Sequence, residues 1–139
     1  MQGALPSCLQ KSFLIEKIQT DIIVQIFADR IVVFLSQLEG KIGTYLSTTI
    51  EESIIDGSTT FHISSLLGNR DDPLHNVYAR QLAERIWKYN KSVNGGLSSC
   101  PPILLGIALP KSGKKQDIPV FHRILDLVVQ MYAEATQLQ

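Results

Sequence analysis

The chain has 139 residues, 45% of them apolar and 19% charged, which suits one globular domain large enough to bury a core. Thirteen Lys and Arg balance thirteen Asp and Glu, so no basic surplus speaks for nucleic acid or an anionic membrane surface. No stretch approaches the ~18–20 consecutive apolar residues of a membrane span, and Met1-Gln2-Gly3-Ala4-Leu5-Pro6 lacks the charged stretch and long apolar run of a secretory signal.

Residues 1–11 read as a flexible lead-in and 12–137 as a single domain. Phe13 and Ile15 alternate within 12–18 and predict a short strand. Residues 20–28 and 30–38 predict two more, split by a hairpin signal at Ala28-Asp29. A second turn spans 37–41, where Gly40 can take a positive φ. Residues 41–49 set Ile42, Thr44, Leu46 and Thr48 against Gly43, Tyr45 and Ser47, a half-buried fourth strand. A polar excursion over 51–58 closes at Asp56-Gly57 before a fifth strand over 59–67.

The apolar period then changes. Asp72 suits a helix N-cap and Pro73 the first helical position, where its missing N–H costs nothing. Leu74, Val77, Tyr78, Leu82, Ile86 and Tyr89 form a stripe that fades near Asn90. A loop over 91–100, around Asn94-Gly95-Gly96, leads to a sixth strand at 101–109. A basic loop follows at 110–116, and Asp117 caps a last helix with Pro119 in its first turn. Phe121, Ile124, Leu125, Val128, Met131, Tyr132 and Ala135 make its stripe. The class is α+β: a six-stranded, mainly antiparallel sheet with two helices packed on one face, in the order βββββαβα.

Several of these strands are apolar on both sides. Residues 21–27 read Ile22, Val24 and Ile26 on one side and Ile23, Gln25 and Phe27 on the other. Residues 30–35 have no polar side after Arg30, and 103–109 behave alike. An antiparallel sheet with one wet face should alternate instead. Two helices cover one face, so a partner protein is expected to cover the second. That face measures roughly 500 Å², large for an exposed patch on a monomer and ordinary for one side of a dimer. Ile23, Gln25 and Phe27, with Val33 and Tyr45, are the candidate partner-binding residues, and Ile22, Val24 and Ile26 should face the helices.

Motifs for chemistry are weak. His62, His75 and His122 form no i, i+4 pair, and Cys8 and Cys100 have no ligand spacing, so no metal, cofactor or catalytic residue is expected. The two cysteines read as thiols of a cytosolic protein rather than a disulfide. His62 reads as a structural or surface histidine, and His75 and His122 as solvent-facing groups in first helical turns. Asp71-Asp72 fits a helix start better than a pair of catalytic carboxylates. Gly40-Lys41 and Gly113-Lys114-Lys115 lack the upstream glycine and following hydroxyl of a phosphate loop. Trp87 and Tyr89 have no basic patch around them to make a base-stacking platform. Asn90-Lys91-Ser92 matches a glycosylation acceptor, a triplet common by chance. Two other classes compete with a dimeric binding protein. One is an adaptor that dimerises on another complex. The second is a small α+β enzyme with its site in a dimer cleft, for which His62, Asp56 and the 40–44 turn would be the candidates.

Two segments carry a likeness. Gly40-Lys41-Ile42-Gly43-Thr44 enters the fourth strand, and Leu66-Leu67-Gly68-Asn69-Arg70-Asp71-Asp72-Pro73-Leu74-His75-Asn76-Val77-Tyr78-Ala79-Arg80-Gln81-Leu82 joins the fifth strand to the first helix. Together they resemble the proteasome assembly chaperone 3 family, over roughly residues 12–135. The second segment is the more specific, and the chain departs from shorter members at 91–100 and 110–116. The resemblance implies a non-enzymatic chaperone of the cytoplasm, with the nucleus as a second location. It would pair with a structurally similar subunit, proteasome assembly chaperone 4, or with itself, and help α-type subunits order into the seven-membered ring of the 20S proteasome. Candidate contacts to ring subunits are Lys111, Lys114 and Lys115, clustered in one loop, and the 51–58 excursion. No nucleic acid, membrane or cofactor is implied.

Overall fold

In the computed structural model, which describes residues 7–68, 73–93, 100–110 and 118–137, five strands come first. They are β1 (Ser7–Ile15), β2 (Ile18–Ile26), β3 (Ile31–Ser36), β4 (Thr44–Glu52) and β5 (Thr59–Leu67). Helix α1 (Pro73–Val93) then leads to β6 (Ile103–Ala108), and α2 (Ile118–Gln137) follows. The order βββββαβα and the α+β class are those read from the sequence. The sheet runs β1-β2-β3-β6-β4-β5, antiparallel throughout except where β6 lies parallel to β3. The last strand therefore enters the middle of the sheet, between the β1–β3 meander and the β4–β5 hairpin.

The first hairpin differs from its sequence reading. Residues 7–11, expected in the lead-in, belong to β1, because Leu9 opposite Val24 and Lys11 opposite Ile22 stand on the packed face. Residues 1–6 lie outside the described residues. The turn is Glu16–Lys17, with both residues at positive φ, 48° and 68°. Asn and Gly supply that conformation most easily, so a turn built from Glu and Lys gives no local signal. The Ala28–Asp29 turn is where it was expected, with the Phe27 amide donating to the Arg30 carbonyl at 2.9 Å. Gly40 takes the positive φ, 80°, anticipated for it.

Both helices pack on one face of the sheet. Alternation puts Ile22, Val24 and Ile26 of β2 there, beside Ile31, Val33 and Leu35 of β3 and Ile103, Leu105 and Ile107 of β6. These are nine of the core side chains, joined by Leu46 of β4 and the helix stripes. Val33 was expected on the partner side. It faces Val24 and Leu105 and is fully buried, because Val32 and Phe34 take the other side of β3. Where β2 begins and β3 ends, a buried amide contact closes that end of the sheet, the Gln37 side chain donating to the Thr20 hydroxyl at 3.1 Å.

Helix α1 buries His75, Tyr78, Ala79, Leu82, Ala83 and Ile86. Two sequence expectations change here. His75 is buried rather than solvent-facing, and Val77 is 46% exposed rather than in the stripe. The true stripe steps through the small Ala79 and Ala83, which a count of large apolar residues passes over. Pro73 does stand at the first helical position, whereas Asp72 and Asp117 lie outside the described residues. In α2 the buried set is Ile124, Leu125, Val128, Met131, Tyr132 and Ala135, as the periodicity predicts. Tyr78 meets Phe121 edge-on at 4.7 Å and Tyr89 meets Tyr132 at 5.7 Å, locking the two helices together. Arg85 also reaches across to Asp126 and to His122.

The strained turn yields a stability test. Replacing Glu16-Lys17 by Asn-Gly should stabilise the protein by about 1 kcal/mol, raising the urea midpoint at constant m. A lower midpoint would mean that neither residue holds a left-handed conformation.

Candidate functional site

Among the described residues no element covers the sheet face opposite the helices. Its strand positions follow from alternation and register. In the middle stand Ile23 and Gln25 of β2, Val32 and Phe34 of β3, and Leu104, Gly106 and Ala108 of β6. Tyr45 of β4 lies beside Gly106. Towards the edges most residues turn polar: Cys8, Gln10 and Ser12 on β1, Ser47, Thr49 and Glu51 on β4, and Thr60, His62 and Ser64 on β5, while Leu14 on β1 and Leu67 on β5 stand exposed on the same side. The two-sided apolarity read from the sequence thus belongs to the central strands, while the outer ones alternate. An apolar centre inside a polar rim is the anatomy of a protein–protein interface.

Of the five predicted partner-binding residues, Ile23, Gln25 and Tyr45 stand on this face, half-buried, and Phe27 follows in the β2 alternation. Val33 does not, for the reason given above. The reading missed Val32, Phe34 and Leu104, the members of the same row on β3 and β6. A strand apolar on both sides gives no periodic clue to which side is which; only the neighbouring strand's register does.

Gly106 organises the centre. It pairs with Phe34 on one flank and Tyr45 on the other, and the two rings meet edge-on at 6.5 Å. A Cβ on Gly106 would come within 2.6 Å of Phe34 Cδ1 and 3.1 Å of Ile42 Cγ2. The missing side chain is what lets the Phe34 ring and Ile42, from the β3–β4 connection, lie down over β6. The result is a low apolar platform rather than a row of upright side chains. A shallow groove lined by Asp21, Ile23, Phe34, Ser36, Gly40 and Ile42 opens beside it.

The two sequence segments that carried the family likeness meet at one end of the sheet. Tyr45 pairs with Leu67, and Gly68, at φ 99°, presses its Cα side against the Gly43 carbonyl and Thr44. A β-carbon there would collide with backbone atoms. Glycine at 68 is therefore needed twice, for its φ and for the close approach.

No reaction centre forms from the enzyme candidates. His62 Nε2 lies 2.9 Å from Glu51 Oε2, both well exposed. Asp56 sits in the connection after β4 and the 40–44 turn lies before it, so the strand separates them. The Ser58 amide, then the Ser58 and Ser53 hydroxyls, hold the Asp56 carboxyl below its usual range, which marks a well-formed turn rather than a proton-transfer group. No group of three metal-ligating side chains occurs among the described residues. No helix among them is long and apolar enough to cross a membrane. Both cysteines are free thiols. Cys8 is exposed on the uncovered face, whereas burial pushes the Cys100 thiol up to about 11. Lys111, Lys114 and Lys115 lie outside the described residues. The 51–58 excursion presents Ile54 and Ile55 wholly exposed at its tip, held by the Ser53 amide donating to the Ser58 carbonyl at 2.8 Å.

Against known proteins, the sequence model of the family described as Proteasome assembly chaperone 3 matches residues 33–131. A Proteasome assembly chaperone 3 from Nematostella vectensis is 33% identical over 117 residues, covering 78% of this chain and 79% of that protein. One chain from the crystal structure of a novel chaperone complex for yeast 20S proteasome assembly superposes with a TM-score of 0.65. It covers 93% of this chain and 99% of its own length at 16% identity, a likeness of fold.

Two results follow from this geometry. Gly106→Ala should cost about 1–3 kcal/mol by forcing the Phe34 ring upright, and Gly68→Ala should cost more, because backbone rather than a side chain blocks it. A urea series that ranks them the other way would contradict the packing. Thiol labelling at pH 8 should modify Cys8 within the mixing phase and Cys100 only slowly, since its thiol is mostly protonated there; equal rates would place Cys100 in contact with solvent.

Proposed function

The chain belongs to the proteasome assembly chaperone 3 family, and from that premise we propose that it promotes formation of the α-ring of the 20S proteasome by binding rather than by catalysis. It docks a chaperone subunit of the same fold, resembling proteasome assembly chaperone 4, on the uncovered sheet face. The pair then holds α-type subunits while they order into a ring, in the cytoplasm and in the nucleus. The observation that carries this reading is the apolar platform of Phe34 and Ile42 over Gly106, with Tyr45 edge-on to Phe34, flanked by Ile23 and Leu104 and rimmed by mostly polar strand positions. A face of roughly 500 Å², widened by the turns at its margins, approaches the ~800 Å² that each partner buries in a stable complex. Solvent-exposed polar contacts such as His62–Glu51 on the rim contribute little energy and set orientation instead.

Ring subunits bind elsewhere. The exposed Ile54 and Ile55 at the β4–β5 tip offer an apolar contact at one edge, and Lys111, Lys114 and Lys115 a basic one.

Phe34→Asp tests the docking face. A carboxylate buried there without a counter-charge costs several kcal/mol, so co-produced partner subunit should no longer co-purify while the variant stays folded. Retention of the partner would move the interface off this face. Ile54→Ser with Ile55→Ser should keep the partner and lose α-type subunits from affinity-purified complexes. If α-type subunits remain and are lost only when the three lysines are replaced by Gln, the basic loop is the contact.

A further inference from the structure

On the docking face, one charge lacks its opposite. Asp21 stands in a row between Ser12 of β1 and Ser36 of β3, and lines the groove beside the platform. Its Oδ1 accepts from the Ser12 hydroxyl at 2.6 Å and from the Gln19 amide at 3.3 Å. No cation pairs with it among the described residues. The Ser36 hydroxyl is committed elsewhere, donating to the Lys41 carbonyl at 2.7 Å and accepting from the Leu38 amide at 3.2 Å. Under a docked partner, a carboxylate shut off from solvent and held by two neutral donors is costly unless a cation joins it.

This chain's own strand face has no such cation to offer a second copy. Besides Asp21, its strand positions carry the Glu51 carboxylate, 2.9 Å from the His62 ring, and no Lys or Arg. Arg30, paired with Asp29 at 3.3 Å, sits on a turn at the margin, as do Lys17 and Lys41. We propose that Asp21 is a specificity-determining residue: it pairs with a Lys or Arg on the sheet face of a non-identical subunit, and its charge opposes pairing with a second copy of this chain. The inference rests on the docking face described above. It adds what the occupant must carry, and why the occupant is not the chain itself.

Asp21→Asn keeps the acceptor for Ser12 and Gln19 and removes only the charge. Sedimentation velocity of the purified chain alone, and titration with the chaperone-4-like subunit of the same organism, give the two readouts. The variant should self-associate at least about tenfold more tightly and bind the other subunit about thirtyfold or more weakly. Its affinity for that subunit should also lose most of the salt dependence, between 50 and 500 mM NaCl, that the wild type shows. Two unchanged affinities, or an equal loss in both, would overturn the role of Asp21 while leaving the docking face intact. A wild-type chain that dimerises tightly by itself and ignores the other subunit would overturn it too, and would name the second copy as occupant. A wild-type chain that binds neither removes the docking face, and this inference with it.

Discussion

The structure depends on where β6 goes. The chain lays down five strands by short connections, leaves the sheet through α1, and returns to fill the gap between β3 and β4. Until it does, the β1–β3 meander and the β4–β5 hairpin share no backbone hydrogen bonds, and the helices have no continuous surface to pack on. β6 meets both demands through its alternation. Ile103, Leu105 and Ile107 enter the core, almost wholly excluded from water, while Leu104, Gly106 and Ala108 face the other way. Because a non-local strand completes the sheet, folding has to close a long loop before the central ladder forms, which is a slow step by its topology.

The two faces are built to different standards. Under the helices nearly every side chain is apolar, large and buried, and interlocking aromatics fix α1 against α2. On the other face the half-buried Phe34 ring lies over a glycine and meets the half-buried Tyr45 edge-on, leaving a surface that is apolar yet shielded by its own side chains. Such a surface can be tolerated in a free chain and still reward docking, because the remaining exposed area is concentrated in a few groups. Charge at its border then selects among occupants without contributing much to stability of the free chain.

Much of this was legible in the residues. The number and order of elements follow from alternation, turn chemistry and the change of period at Pro73, and the α2 stripe is read correctly from Ile124 to Ala135, with Phe121 half-buried at its start. The failures have physical causes. Glu16–Lys17 turns the chain without a turn residue, so β1 was displaced towards the C-terminus and its first five residues read as lead-in. Ala79, Ala83 and the buried His75 are too small or too polar to score as a stripe, which drew Val77 into it. Val33 was set on the docking face because β3 is apolar on both sides; its side is decided by pairing with Val24 across the ladder, information no single strand contains. Asp21, adjacent to the predicted Ile23 row, gives no sequence signal, because a lone carboxylate means nothing until three dimensions show that no cation among the described residues pairs with it.

The central claim is that the sheet face opposite the helices carries the partner. Hydroxyl-radical footprinting, read by mass spectrometry on the chain alone and after mixing with the proposed chaperone-4-like subunit, addresses it side chain by side chain. The account predicts loss of oxidation at Phe34, Tyr45, Ile23 and Leu104, with Val77 and Ile118 on the helices unchanged at their present exposure. Protection of Val77 and Ile118 with Phe34 and Tyr45 still oxidised would put the partner on the helices and contradict it.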